Sequence, residues 1–306
     1  MSICVLGGSG FLGNSIVELL LKKNLPVKVI GRKKNYHHKI EYMSLDDFFD
    51  DKISIKFLAD ISVIINCIGE SKNPSDMQKV NIELLEKILR KVNSIKQFIH
   101  ISSIGVYGNV RKGTIVENFS KNPSNIYQKS KSGAEDVLIS YAKINNFAYT
   151  IIRPSKILGE NIKDPALKLL INFIYYRLFF FVGEKGSSFN YIYYIDLINY
   201  IYNLVSNSKS YNQIYNISDH ITLEEAVKII KDSRRIKTKF PRLPENIIRF
   251  IIGLFKPFTF FPLNEERLDA LITKTIFSDK KIKETVKLEN KIGITNALTK
   301  ILSSKH

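Results

Sequence analysis

A doubly wound α/β fold, built on a parallel sheet, is the class this sequence predicts, and three observations carry that expectation. Short runs that are apolar at successive positions alternate with segments of helical periodicity through the first half of the chain. Strands apolar on both faces belong to parallel sheets covered on each side by helices. A glycine cluster, Gly7, Gly10 and Gly13, lies between the first apolar run and the first helical pattern. Finally, 306 residues exceed what one such sheet needs, which leaves room for a smaller C-terminal α+β lobe.

The elements follow in order. "SICVLGG" reads as a buried strand and "LGNSIVELLLKK" as a helix, with Ile16, Val17, Leu19, Leu20 and Leu21 as its apolar positions. "PVKVIGR" is a second strand, and "ISVIINCIGE" and "QFIHISSIGVYG" are two more. Between the last two, "DMQKVNIELLEKILRKV" has helical spacing at Val80, Leu84, Leu85, Ile88, Leu89 and Val92. A helix over "YQKSKSGAEDVLISYAKINN" precedes "AYTIIRPSKILG", a strand followed by a loop. Right-handed crossovers then make the doubly wound sheet the economical topology. Beyond Gly159 the pattern shifts to short elements, aromatic-rich stretches and a segment carrying Pro241, Pro244, Pro257 and Pro262.

Composition sets limits. The chain is 44% hydrophobic and 25% charged and lacks Trp, as a folded globule allows. Its formal charge of +17 is spread over scattered lysines (Lys22, Lys23, Lys228, Lys231, Lys280, Lys281), with no zinc-finger or other metal-ligand spacing. Neither nucleic acid nor a metal is therefore expected, whereas anionic sugar nucleotides or an anionic membrane would be attracted. Cys4 and Cys67 fall in apolar runs, which suits reduced thiols in a cytoplasmic protein. Glycines break the first apolar run too early for a signal peptide, and no stretch of 18 apolar residues offers a membrane span.

In a strand–loop–helix unit, glycines permit the turn, the approach of backbone to a pyrophosphate, and close helix packing. The free N–H groups at the helix start complete an anion site. The spacing here is G-x-x-G-x-x-G, not G-x-G-x-x-G; its place after the first strand and before a helix favours a Rossmann-type dinucleotide-binding domain over residues 1–158, with a plain structural turn as the alternative. Residues 159–306 are then mostly a substrate lobe, with some segments returning to the sheet. Gly31 stands where an acid would meet a ribose 2′-hydroxyl, and Arg32, Lys33 and Lys34 follow it. That favours NADP over NAD, since Arg accommodates a 2′-phosphate. Tyr127 and Lys131, four apart in a helical segment, share a face. A cation beside the phenol, together with the positive nicotinamide ring of an oxidised cofactor, would favour the phenolate and make Tyr127 an acid/base. Ser102 and Ser103 end an apolar strand, where ligands meet such sheets, and Ser103 could orient a substrate oxygen. Tyr107 and Arg111 show similar spacing but are given no proton-transfer role.

Taken together, "GGSGFLG", "INCIGE", "VNIELLE", "HISSIGVYG", "YQKSKSGAED" and "IIRPSKILG" resemble, in order, the extended short-chain dehydrogenase/reductases. The closer likeness is to the NAD-dependent epimerase/dehydratase group acting on nucleotide sugars. The resemblance implies that Gly7, Gly10, Phe11, Leu12 and Gly13 cradle the pyrophosphate and that Arg32 meets the adenosine. It places Cys67 and Gly69 beside the ribose and nicotinamide, with Asn81 bracing them, and Pro154 and Ser155 in a loop near cofactor and substrate. Ser103, Tyr127 and Lys131 match the catalytic set, and Lys131 would also hold the nicotinamide ribose. Later, "YIYYIDLINYI" and "IYNISD" echo the group, with Asp196 expected to orient the lobe boundary. Two departures stand out. Ser44 replaces an aspartate common near adenine, with Asp46 and Asp47 displaced, and Ile104-Gly105 replaces the Asp-Glu pair of dehydratases, which disfavours dehydration.

The expected function is NAD(P)-dependent hydride transfer at a secondary alcohol or ketone, at C4 of a nucleotide sugar, as 4-epimerase or 4-keto reductase. Arg177, Lys185 and Arg267 are the basic candidates for its phosphates. "LLINFIYYRLFFFVG" and "NIIRFIIGLFKPFTFFPL" are expected to build the lobe core and a homodimer surface. Two alternatives stay open: the same chemistry on a lipid-linked sugar, with those stretches resting on a membrane, and a non-catalytic NAD(P)-binding module.

Overall fold

The computed structural model describes residues 2–32, 40–92, 94–161, 164–255 and 264–303. Seven parallel strands form the central sheet: β1 (Ser2–Leu6), β2 (Val27–Gly31), β3 (Glu41–Ser44), β4 (Ile61–Asn66), β5 (Gln97–Ile101), β6 (Ala148–Pro154) and β7 (Gln213–Ile217). Their spatial order is β7-β6-β5-β4-β1-β2-β3, so the order reverses beside β1, where a crevice opens at the carboxyl ends of the strands. The central strands are buried at every position, as expected for a sheet covered on both sides.

Side chains alternate along each strand, which splits the core in two. On one side Ile3 and Val5 pack with Ile16, Val17 and Leu20 of helix α1 (Phe11–Lys22), and with Leu197 and Ile201 from a helix of the C-terminal half. On the other, Cys4, Leu6 and Phe98 meet Leu85 and Leu89 of α2 (Leu84–Lys91) and Ala134 and Leu138 of α3 (Ile126–Asn145). Both cysteines are free.

The helix expected from Asp76 to Val92 is not uniform. An α-turn over Pro74–Gln78 gives way to a π-helical turn, Lys79–Glu83, before α2 begins. The "KIL" expected as loop forms a short strand, Lys156–Leu158, which pairs with Ser188–Tyr193. Ser188–Tyr193 also pairs antiparallel with Asp219–Thr222. Around this small sheet, Leu158, Phe189, Tyr191 and Tyr193 share a core with α4 (Pro165–Tyr175), α6 (Leu223–Ser233) and a C-terminal helix, Gly293–Ser303. Helix α5 (Tyr194–Leu204) instead joins the α1 side of the large sheet. Helix α7 (Glu245–Phe255) covers the parallel pair Phe181–Val182 and Arg242–Leu243. Lys112–Ile115, from the first half, pairs with Lys274–Phe277. Pro257 and Pro262 lie outside the described residues. Among the described residues no helix is long and apolar enough to cross a membrane.

Candidate active site

The glycine loop joins β1 to α1 as a close backbone turn. Gly7 adopts φ +75°, a conformation that side chains disfavour, and its carbonyl accepts from Gly10 N at 3.0 Å. A Cβ at Gly13 would overlap the Gly7 carbonyl oxygen and come within 2.9 Å of its carbon, so only glycine lets α1 start this close. Gly10 is the N-cap of α1; no side chain caps that end and no acid sits in its first turn. The first N–H groups of α1 thus face the crevice without a carboxylate to compete, a fit for a pyrophosphate. Leu12 packs against the α1-side core. Phe11 lies over Gly159 and Tyr194, its ring 5.1 Å from the tyrosine's. Gly13→Ala is expected to weaken cofactor binding at least about tenfold, with a stability loss of about 1–3 kcal/mol. Calorimetry with NAD and NADP and a thermal melt check both, and Gly10→Ala, whose Cβ would meet the Gly7 oxygen at 3.3 Å, should be milder.

Arg32 follows β2 directly and is exposed. Its charge acts on Glu70 across the crevice; that carboxyl is held below its usual range chiefly by backbone N–H donors of Lys72 and Asn73. Lys33 and Lys34 lie outside the described residues.

The loop after β4 carries Cys67, half-buried, and Gly69. Burial pushes the Cys67 thiol up to about 12 despite nearby Lys131, which leaves it a neutral liner. A Cβ on Gly69 would lie 3.1 Å from Lys131 Nζ, so the absent side chain gives the lysine its place. Asn81, buried in the π-turn, accepts from Glu70 N at 2.8 Å. Its amide donates to the Glu70 carbonyl at 3.0 Å and to Ser130 Oγ at 2.8 Å. One side chain thereby ties the 67–70 loop to α3.

Ser103, just past β5, hydrogen-bonds Tyr127 and accepts from Gly105 N at 3.0 Å. Tyr127 and Lys131 lie one turn apart on α3. Lys131 is buried and donates to the Ile101 carbonyl at 2.9 Å. Burial lowers its pKa to about 8, with Cys67 and Glu135 acting in the opposite sense. By the protein's own groups, burial raises the Tyr127 pKa and the Ser103 hydrogen bond offsets this only in part, so the push toward phenolate falls to what binds beside it. In this chain the phenol is held protonated, because desolvation outweighs what its neighbours supply. Pro154 ends β6, and the Ser155 hydroxyl beside it is buried with no hydrogen-bond partner among the described residues.

Several supporting groups escape the motifs. His100 is buried with Nδ1 3.1 Å from Asn66 Nδ2, and burial followed by the Lys131 charge drives its pKa well down, so the ring is neutral. Glu135 accepts from Ser102 Oγ at 2.6 Å and takes Arg153 in two bonds, 2.9 and 2.6 Å. Arg153 also donates to Tyr107, whose hydroxyl donates to Asn216 of β7. Tyr107 is therefore a structural link. Glu135 lies four residues beyond Lys131, a helical spacing that could have drawn attention to it.

The candidate phosphate ligands sit on three separate elements. Arg177 is exposed beyond α4 at φ +63°, Lys185 is exposed ahead of strand 188–193, and Arg267 is exposed on the helix Glu265–Ile272. None has a described contact with Ser103, Tyr127 or Lys131. A cavity of about 490 Å³ in the lobe is lined by Gly183, Arg242, Pro244, Glu245 and Lys274 among others, away from that set. Asp196 is buried and accepts from Ile292 N and Gly293 N, both at 2.9 Å, so it holds the start of the C-terminal helix.

Comparison with known proteins establishes the family and the fold. A putative UDP-glucose 4-epimerase of Methanocaldococcus jannaschii is 31% identical over 181 residues, 53% of this chain and 58% of that protein. The UDP-glucose 4-epimerase of Lactobacillus helveticus is 26% identical over 176 residues, 53% of each. The chain thus matches little more than half the length of these relatives. The crystal structure of UDP-glucuronic acid 4-epimerase from Bacillus cereus, in complex with UDP-glucuronic acid and NAD, superposes over 100% of both chains with a TM-score of 0.74 at 17% identity, a likeness of fold. The model of the NAD dependent epimerase/dehydratase family matches residues 3–218, and with the glycine cradle and the Ser103–Tyr127–Lys131 cluster at one sheet edge, the chain belongs to that family.

Proposed function

We propose that this chain moves hydride to and from C4 of a nucleotide-activated sugar, interconverting a secondary alcohol and a ketone. The observation that carries the reading is the Ser103–Tyr127 hydrogen bond beside a buried Lys131, at the strand ends next to an anion-ready helix start. When bound, a nicotinamide cofactor supplies the acceptor and donor of the hydride. Gly7, Gly10, Phe11, Leu12 and Gly13 would hold its pyrophosphate, Arg32 its adenosine side, and Cys67, Gly69, Asn81, Pro154 and Ser155 the far end. Lys131 would hold the ribose hydroxyls.

The residues then divide the work. Ser103 orients the substrate oxygen, and Tyr127 exchanges a proton with it. The phenol, protonated at neutral pH, is ready to donate to a ketone and must lose its proton before it can accept from an alcohol. Lys131, with its pKa brought to about 8, is the nearby charge most easily altered by what binds. Part of residues 159–306, outside α5 and β7, would bind the nucleotide and sugar. In the epimerase reading, supported by the names of the relatives, the keto sugar turns and is reduced on its other face. Arg32, with Gly31 in place of an acid, favours a second reading: an NADP-dependent 4-keto reductase.

A panel of UDP-, GDP- and dTDP-sugars, incubated with and without NADPH and followed by nicotinamide absorbance and product separation, tests both. An epimer formed without net absorbance change supports the first reading and net NADPH consumption the second. No turnover of any sugar nucleotide would refute the substrate class. Clearly tighter NAD than NADP binding would refute the role given to Arg32.

A further inference from the structure

The C-terminal lobe carries an apolar, basic outer face that the proposed reaction does not use. Helix α7 buries Ile248 and Ile252 against Val182 and Leu268. Its other side presents Ile247, Phe250 and Leu254, exposed by 49%, 73% and 63%. Spacings of three and four place them in one stripe. Between α4 and strand 181–182, Tyr176 and Leu178 are exposed by 74% and 63%, with Arg177 between them. Strand 181–182 lies beneath α7, with Phe180 packed on the same cluster as Ile252.

The rim of this face is cationic. Residues 228–241 contain six Lys or Arg against one acid, Asp232, while Arg242 is paired with Glu224. Arg234 stacks over the Tyr175 ring at 4.8 Å, and Tyr175 meets Ser233 at 3.2 Å, so the basic end of α6 adjoins the end of α4. The Phe179 and Phe240 rings, 5.4 Å apart, bring the rest of the basic segment beside 176–180. Arg177, Arg235, Lys237 and Lys239 are exposed and make no ion pair among the described residues. The acids nearest α7, Glu245, Glu265 and Asp269, are gathered by Arg249, which projects toward the helix Glu265–Ile272 rather than into the stripe. Lys256 and residues 257–263 lie outside the described residues.

We propose that this face docks on an anionic lipid bilayer, with Tyr176, Leu178, Phe250 and Leu254 entering the interface and the basic rim meeting lipid phosphates. Scattered apolar side chains are ordinary on a surface, but here Tyr176 and Leu178 stand out beside the basic segment, and the α7 stripe stands out on the helix that covers the strand following them. Apolar tips combined with Lys and Arg are what interfacial binding needs. A second copy fits less well, because a two-fold contact would press like-charged rims together.

The test is co-sedimentation of the full chain with phosphatidylcholine vesicles, with and without phosphatidylglycerol, at low and moderate salt. Sedimentation with phosphatidylglycerol vesicles is expected, weakened by salt, with little on phosphatidylcholine alone. The variant Arg234→Glu/Arg235→Glu/Lys237→Glu should lose at least about tenfold in affinity. Phe250→Ser/Leu254→Ser, which removes only exposed groups, should abolish the salt-resistant fraction while melting like the wild type. Failure of the wild type to sediment with phosphatidylglycerol vesicles overturns the proposal, as does undiminished binding by both variants. A concentration-dependent dimer that Phe250→Ser/Leu254→Ser dissociates assigns the face to a second copy and overturns it equally.

Discussion

Tyr127→Phe is expected to lose at least about a thousandfold in turnover while binding the nicotinamide cofactor as the wild type does. The substitution removes one hydroxyl and its hydrogen bond with Ser103. It leaves the ring, the Gly7–Gly13 turn and the Lys131 bond to Ile101 in place. Product separation measures the first quantity and calorimetry the second. A variant that kept full turnover on the identified substrate would remove Tyr127 from the proton transfer. The sign of the pH dependence follows from the same residue. Because burial raises its pKa, the acid form prevails at neutral pH, so ketone reduction should be nearly flat below the Lys131 value of about 8. Alcohol oxidation needs the phenolate and should climb with pH, by up to about tenfold per pH step.

Glu135→Ala should destabilise the fold by about 3–5 kcal/mol, because it leaves the buried Arg153 without its counter-charge. Thermal denaturation would register this as a fall of several degrees. The double variant Glu135→Leu/Arg153→Met should recover most of the loss, since a well-packed apolar pair can replace a buried ion pair. A single variant as stable as the wild type would mean that water reaches Arg153. The damage should also reach the site. Ser102, which loses its acceptor, adjoins Ser103, and Glu135 helps Lys131 keep its proton.

Strand and helix alternation was legible because a sheet buried on both faces writes an unbroken apolar run, as "ICVL" and "SVIIN" show. The glycine turn was legible because two of its positions tolerate no Cβ or demand a positive φ. Groups that act through tertiary contacts were not. Nothing local to Arg153 says that it meets a carboxylate from α3, and Tyr107 reads the same whether it faces a substrate or Asn216. The pairing of residues 112–115 with 274–277 joins segments too far apart for any pattern to link. The direction of the Tyr127 shift also escaped, because spacing reveals a neighbouring charge but not the depth of burial that opposes it.

The π-turn at Lys79–Glu83 has a genetic consequence. A turn of this kind amounts to one residue inserted into a helix, and one residue of α-helix is a rotation of about 100°. Deleting a single codon there would leave α-helical sequence on both sides free to join, yet swing Asn81 off the loop it secures to Ser130. Such a deletion would uncouple a folded chain from a competent one without altering any group that meets the substrate.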